Sequence, residues 1–221
     1  PLTVVMGYAE LMRGRDLGVA ESTQYADTLI RQTDRVNTMV QEILEFARGE
    51  AAMSLENVET RFLLSEVAGN LRDELRSREV DVTCETEFSV EVCVDRERML
   101  RVFLNLGRNA AEAMHGKGKI DIGCAQSDNG ILFTVSDDGP GIPEEICENV
   151  FEPFVTAGKE KGTGLGLAIV KKVVEDHGGD IAVENGPEKG AVFRIRLPLP
   201  GSAMDPGVKG RVPVVIIEDE K

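Results

Sequence analysis

Apolar positions recur along the first fifty residues at alternating spacings of three and four. Leu2, Val5, Ala9 and Met12 keep this rhythm, and Ala26, Leu29, Thr33, Val36, Val40, Ile43 and Ala47 keep it over a longer run. Such an alternation lays one apolar stripe along a helix. Gly14, Asp16 and Gly18 interrupt it between the two runs. The pattern therefore predicts an antiparallel helical hairpin over about residues 1–50. A hairpin has little of its own to bury that stripe against. It can pack on the rest of the chain, or a second copy can complete a four-helix bundle, the more economical remedy.

Residues 51–58 read as a hinge. Beyond them the apolar period shortens and lengthens by turns. Residues 61–64 read as a short extended piece, and Ser65 is placed to cap a helix running to about Ser77. Residues 80–86 and 90–94 alternate as strands, and a helix follows over about 95–114. Strands at 119–126 and 131–136 flank a turn at Asp128-Asn129-Gly130. A loop-rich stretch covers 137–163. A helix over about 164–176 stops at Gly178-Gly179, and strands at 180–184 and 191–197 close the unit. Strands joined by short turns argue for a mixed, mainly antiparallel sheet with helices on one face. The expected fold class is α+β: a helical hairpin, then an α/β two-layer sandwich, not a doubly wound sheet. The expected boundaries are 1–52 for the hairpin, 53–200 for the sandwich, and 201–221 for a Pro- and Gly-rich linker with an apolar, then acidic, end.

Composition narrows the partners. The 221 residues are 42% hydrophobic and carry a formal net charge of −14. That core fraction suits a packed domain, and the charge excludes nonspecific nucleic-acid binding and disfavours an anionic membrane surface. A local basic site for an anionic ligand stays compatible with it. No apolar run reaches a membrane span and no signal peptide opens the chain. Cys84, Cys93, Cys124 and Cys147 follow no common zinc or redox spacing. They read as reduced thiols of a cytosolic protein. The chain begins at Pro1 without Met, and the expectation is a piece of something longer.

Three groups of residues carry candidate chemistry. Asn105 and Asn109 share a helix face with Glu112, opposite the apolar stripe of Met99, Val102, Phe103, Leu106, Ala110 and Ala113. Two amide oxygens can serve a hard cation such as Mg²⁺, although the pair alone also fits a solvated face. Asp137-Asp138-Gly139-Pro140-Gly141-Ile142 follows a strand directly. A carboxylate there can accept from an exocyclic amine, and the same residues suit an ordinary strand-ending turn. Gly162-Thr163-Gly164-Leu165-Gly166-Leu167 runs into a helix, where free N–H groups favour phosphate. It is neither a Rossmann fingerprint nor a Walker A loop. Lys159 and Lys161 stand just before it.

In that order, and with Phe151-Glu152-Pro153-Phe154 between the last two groups, these motifs form a joint signature. It resembles the catalytic ATP-binding domain of bacterial two-component sensor histidine kinases, over nearly all of residues 59–198. His177-Gly178-Gly179, then Gly190-Ala191-Val192-Phe193 leading to Leu197-Pro198, extend the likeness. The resemblance implies ATP and Mg²⁺ as ligands. It makes Asn109 the residue that bridges the phosphates through Mg²⁺, with Asn105 supporting it, and Asp137 the acceptor for the adenine amino group. Gly139 and Gly141 would let the loop approach the base, beside Ile142. Phe151 and Phe154 would anchor a lid. Gly162, Gly164 and Gly166, with Leu165 and Leu167, would close its end over the phosphates, with Thr163, Lys159 and Lys161 near the phosphate tail. ATPases of the wider superfamily hold a water-activating Glu where Asn105 stands. Asn is no general base at neutral pH, so the site implied is one that spares the γ-phosphoryl group for another nucleophile.

The hairpin adds to the likeness. Pro1-Leu2-Thr3-Val4-Val5 with Gly7-Tyr8-Ala9-Glu10-Leu11 resembles the end of the H-box and first helix of the dimerisation and phosphotransfer domain. The acceptor histidine would then lie just upstream of Pro1, and His115 and His177 read as structural. The chain implied is a protein-histidine kinase core, homodimeric through residues 1–50. Its phosphoryl group would pass on to a response-regulator receiver aspartate. The run 212–217 with Glu218-Asp219-Glu220 resembles the start of such a receiver, fused after residue 210, or is simply a tail. A related protein-serine kinase would lack the hairpin. A nucleotide-binding scaffold or phosphatase that no longer transfers phosphate would keep both parts.

Overall fold

The computed structural model describes residues 2–14, 17–47, 53–86, 89–127, 130–156, 163–187 and 189–199. Helices α1 (Leu2–Gly14) and α2 (Val19–Ala47) form the expected hairpin. Tyr8 and Tyr25 meet edge to face across it, with ring centroids 5.1 Å apart. No residue of α1 is buried. Leu2 and Met6 keep more than 60% of their surface exposed, and Ile30 keeps 59%. Of the stripe itself, Val5, Met12, Ala26, Leu29 and Val36 are half-buried, while Leu2 and Val40 stay exposed.

Strand β1 (Glu56–Glu59) pairs antiparallel with β3 (Glu91–Val94) in a two-stranded sheet, Val58 opposite Val92. Part of the expected hinge is therefore strand. Helix α3 (Thr60–Glu74) begins directly after it, so residues 61–64 are helical and not extended, and Ser65 lies inside the helix. The reason is long-range. The Thr60 N–H donates to the Val90 carbonyl at 2.9 Å, and Thr60 Oγ1 accepts from the Val90 N–H at 3.1 Å. The chain leaves the ladder at Thr60, and Leu63, Leu64, Val67, Ala68 and Leu71 bury at helical spacing.

The large sheet contains β2 (Glu79–Glu85), β4 (Lys117–Ser127), β5 (Gly130–Asp137), β6 (Asp180–Asn185) and β7 (Ala191–Pro198), in the order β2-β4-β5-β7-β6. Only the β2–β4 pair is parallel. Of the expected turn after β4, Asp128 and Asn129 lie outside the described residues. Helix α4 (Arg96–Ala113), the single turn α5 (Glu144–Cys147) and α6 (Gly166–Asp176) complete the unit. The sheet's inner face meets α3, α4 and α6. In β7 the alternation is complete, with Ala191, Phe193, Ile195 and Leu197 buried. Phe103 of α4 meets Phe133 of β5 edge to face at 5.5 Å. A Cβ at Gly107 would press into buried Leu71, so glycine sets how closely α4 lies on α3. The four cysteines are free thiols. Among the described residues no helix is long and apolar enough to cross a membrane. The apolar and acidic run at 212–220 lies outside the described residues.

A buried polar node fixes the start of α4. Asp95 caps the helix, its Oδ1 accepting from the Arg98 N–H at 3.1 Å. Its Oδ2 accepts from the Ser54 N–H at 3.0 Å, where the chain enters the sandwich. The Asp95 N–H donates to His177 Nε2 at 2.9 Å, and His177 Nδ1 lies 2.7 Å from the Val173 carbonyl. An amide can only donate and a carbonyl only accept, so the imidazole is the neutral Nδ1–H tautomer. His177 is structural, as expected. His115, at φ 56, turns the chain out of α4.

Burial pushes the Asp95 carboxyl up, but the amides of Arg98 and Ser54 and the Arg98 guanidinium hold it below the usual carboxylate range overall. A folded-state pKa depressed in this way stabilises the fold above the unfolded pKa of about 4, and the contribution fades as pH falls through the folded value. Asp95→Ala should cost about 1–2 kcal/mol at pH 7 by loss of the cap. It should also flatten the loss of stability below about pH 4. Denaturant titrations at pH 7 and pH 3 check both, and an unchanged acid slope would count against the node.

Candidate functional site

Asn105 and Asn109 lie one turn apart on α4, both half-buried; they flank the apolar stripe and do not stand opposite it as expected, since Asn109 follows Val102 by seven positions, two turns of helix. Their oxygens are hard neutral donors suited to Mg²⁺. Among the described residues no group of three or more His, Cys, Asp or Glu gathers to hold a metal. The donor set thus fits an ion shared with phosphate oxygens rather than one caged by carboxylates.

The loop after β5 adjoins the end of α4. A Cβ at Gly139 would stand 3.1 Å from Met114 Cγ, just past α4, and 2.7 Å from Asp137 Oδ1. The Gly139 N–H donates to that Oδ1 at 2.9 Å, so Asp137 folds its own loop with one oxygen. Asp138 faces the other way. Its Oδ1 accepts from the Lys119 N–H at 2.8 Å and its Oδ2 from Lys189 Nζ at 2.9 Å. The Lys119 amide first, and then Lys189, hold its carboxyl below the usual range.

The β6–β7 hairpin braces this loop from behind. Gly190, at φ 79, lies so close to Asp137 that a Cβ would overlap the Asp137 carbonyl oxygen. Asn185 pairs its side chain with Ile142. Its Oδ1 accepts from the Ile142 N–H at 2.7 Å and its Nδ2 donates to the Ile142 carbonyl at 2.9 Å. Neither Asn185 nor Lys189 stood out in the sequence. An asparagine before Gly-Pro reads as a turn residue, and nothing local points to a partner 43 positions away.

The segment with the phenylalanines divides in two. Phe151 packs inward, edge to face with Phe193 at 6.4 Å. Phe154 is 74% exposed. Its backbone, not its ring, makes the tie: at φ 69 its N–H donates to the Gly164 carbonyl at 2.9 Å. A Cβ on Gly164 would stand 2.6 Å from the Phe154 backbone. Thr163 Oγ1 accepts from the Leu165 N–H at 3.2 Å and shapes the entry to α6. Leu165 is buried, Ile142 and Leu167 pack against the core, and Gly166 is open on its Cβ side. Lys159, Lys161 and Gly162 lie outside the described residues. Helices α4 and α6 pack side by side. The Asn-bearing helix thus meets the Asp137–Ile142 loop at its end, through Met114 and Gly139, and packs along its side on α6.

Two family models match the chain. One, described as "Histidine kinase-, DNA gyrase B-, and HSP90-like ATPase", covers residues 94–201, and one described as "His Kinase A (phospho-acceptor) domain" covers residues 1–52. Sporulation kinase A of Bacillus subtilis is 33% identical over 90% of the chain and 32% of its own length. Sensor histidine kinase ZraS of Escherichia coli is 32% identical over 93% of the chain and 44% of its own length. The chain spans less than half the length of these curated relatives. Histidine kinase ThkA, solved in complex with the response regulator protein TrrA, superposes with a TM-score of 0.75 at 33% identity, over 90% of this chain and 58% of that one. The ThkA catalytic domain alone gives 0.60 at 38% identity, over 66% of this chain and 96% of that one. Full-length ShkA in complex with AMPPNP gives 0.69 at 27% identity, over 92% of this chain and 44% of that one.

Proposed function

Because the chain belongs to the sensor histidine kinases, we propose that it is the ATP-dependent protein-histidine kinase core of a two-component system. It binds Mg-ATP and directs the γ-phosphoryl group to a histidine upstream of residue 1. A response-regulator aspartate, on a separate receiver or one fused after residue 210, takes the group next. What supports this reading most is Asn, and not Glu, at position 105 on a helix whose end meets the Asp137 loop and which packs beside α6.

Each residue has a task in it. Asp137 commits Oδ1 to Gly139, and Oδ2 accepts from the adenine amine. Gly139 and Gly141 let the base lie against backbone, with Ile142 beside it. Asn109, with Asn105 behind it, would hold a Mg²⁺ ion, which would supply charge neutralisation at the phosphates. Thr163 and the N–H groups at Gly164, Gly166 and Leu167 face the phosphate tail, where the α6 dipole favours negative charge, and Leu165, its N–H bonded to Thr163, anchors the turn between them. Phe151 and Phe154 anchor the lid, and Lys159, Lys161 and Gly162 supply its charge and backbone near the phosphate tail. With no carboxylate base at 105, water is left unactivated and the chain's work is positioning. The apolar residues that stay exposed on α1 and α2, Leu2, Met6, Ile30 and Val40 among them, pair with a second copy through residues 1–50. The reaction takes place in the cytoplasm.

The test is transfer in trans. The chain is mixed with γ-labelled Mg-ATP and a separate hairpin polypeptide that extends upstream to carry an H-box histidine. The expected product is acid-labile, base-stable label on the hairpin, with little free phosphate. Saturable ATP binding without label on the hairpin would favour a scaffold instead.

A further inference from the structure

We propose that Asn185 is a positioning residue for nucleotide selectivity: its side-chain amide holds the Ile142 peptide and so sets where Asp137 meets the base. The proposal rests on the nucleotide-binding reading above. The loop between Asp137 and α5 is poor in ways to hold itself. Pro140 and Pro143 have no N–H, and the Gly139 N–H is spent on Asp137 Oδ1. At Ile142 both backbone groups are met, by one side chain, at 2.7 and 2.9 Å. A primary amide is the neutral side chain that offers donor and acceptor side by side, as a facing strand would. The partners also fix its orientation, since Ile142 N–H can only donate and its carbonyl only accept.

Two further contacts show that the fit is close. Gly141 sits at φ 79, and a Cβ there would stand 2.6 Å from Asn185 Oδ1. Asn185 itself is the last residue of β6, paired with Ala191, one position from Gly190, which abuts the Asp137 carbonyl. The clamp at Ile142 and the stop at Asp137 therefore come from one rigid hairpin, and they bracket the loop at both ends. Asn185 is solvent-exposed, so its bonds contribute little to global stability. What they govern is the register of the loop against the sheet.

The test uses the chain with Asn185→Asp and Asn185→Ala. In Asn185→Asp the shape is kept, but a carboxylate oxygen faces the Ile142 carbonyl where a donor stood. Dissociation constants are measured for Mg-ATP and for the triphosphate of purine riboside, which lacks the 6-amino group. Exchange of the Ile142 amide hydrogen is followed in parallel. The expected result is a preference for ATP that falls at least about fivefold in both variants. Ile142 exchange should quicken while the thermal midpoint moves by no more than about 2 °C. Parallel weakening of both nucleotides, or an unchanged preference, overturns the proposal and leaves Asn185 a structural residue. Unchanged Ile142 exchange removes the clamp itself. A parent chain that binds neither nucleotide defeats the nucleotide reading and takes this proposal with it, whereas a parent that prefers ATP beside unaltered variants defeats this proposal alone.

Discussion

Asp137→Asn should weaken Mg-ATP binding roughly 100-fold while leaving the chain folded. The substitution is nearly isosteric, and the amide oxygen can keep the bond from the Gly139 N–H that now spans 2.9 Å. The turn after β5 should survive for that reason. At the other oxygen the change is severe. An NH₂ group replaces an acceptor, so two donors face each other when the adenine amine arrives, and the charge that strengthened the bond is gone. A charge-assisted hydrogen bond replaced by such a clash is worth about 3 kcal/mol, or roughly 100-fold in Kd. Calorimetric titration of parent and variant measures it directly, with near-ultraviolet circular dichroism to confirm the fold. A Kd within about threefold of the parent would mean that the adenine acceptor lies elsewhere.

Gly190→Ala should be the more damaging change to the fold, although it adds one methyl group. The position takes φ 79, which costs an L-residue about 1 kcal/mol before any contact is considered. The new Cβ would also overlap the Asp137 carbonyl oxygen, and both sides of that contact are backbone. Gly190 cannot retreat freely, because its own carbonyl accepts from the Gly186 N–H at 2.9 Å. Together these put the loss near 3 kcal/mol, or about 10 °C in the thermal midpoint. ATP affinity should fall as well, since relief of the overlap displaces Asp137. Gly166→Ala is the internal contrast: among the described residues no heavy atom lies within 4 Å of its Cβ position, so its midpoint should hold or rise slightly. Equal midpoints for the two variants would show that Gly190 is not tightly packed.

What the sequence made legible was whatever repeats or follows a local rule. The 3/4 rhythm of residues 2–47 gave the hairpin, and the strict alternation at 191–197 gave β7. The helix expected over about 95–114 is α4, and its apolar positions keep helical spacing without help from distant residues. The failures share a cause in distance along the chain. Strand β1 has one inward apolar residue, Val58, and exists because β3 lies opposite it. Ser65 resembled an N-cap, but Thr60 begins α3 through its pairing with Val90. At the site, Asp137, the glycines and the two asparagines of α4 could be named from spacing joined to a family likeness. Asn185 could not, since its meaning depends on Ile142. Phe154 was legible as a motif, yet its contribution here comes through its N–H and not its ring.

The tie between Phe154 and Gly164 has a consequence for how the segment between them can vary. One hydrogen bond and one close backbone approach bring the two ends to a fixed spot on the sandwich. Once a loop's ends are pinned, the entropy of closing it grows only with the logarithm of its length, by about 0.6 kcal/mol for each doubling. Inserting or deleting residues between 155 and 163 should therefore leave global stability almost untouched, provided Phe154 and Gly164 keep their tie.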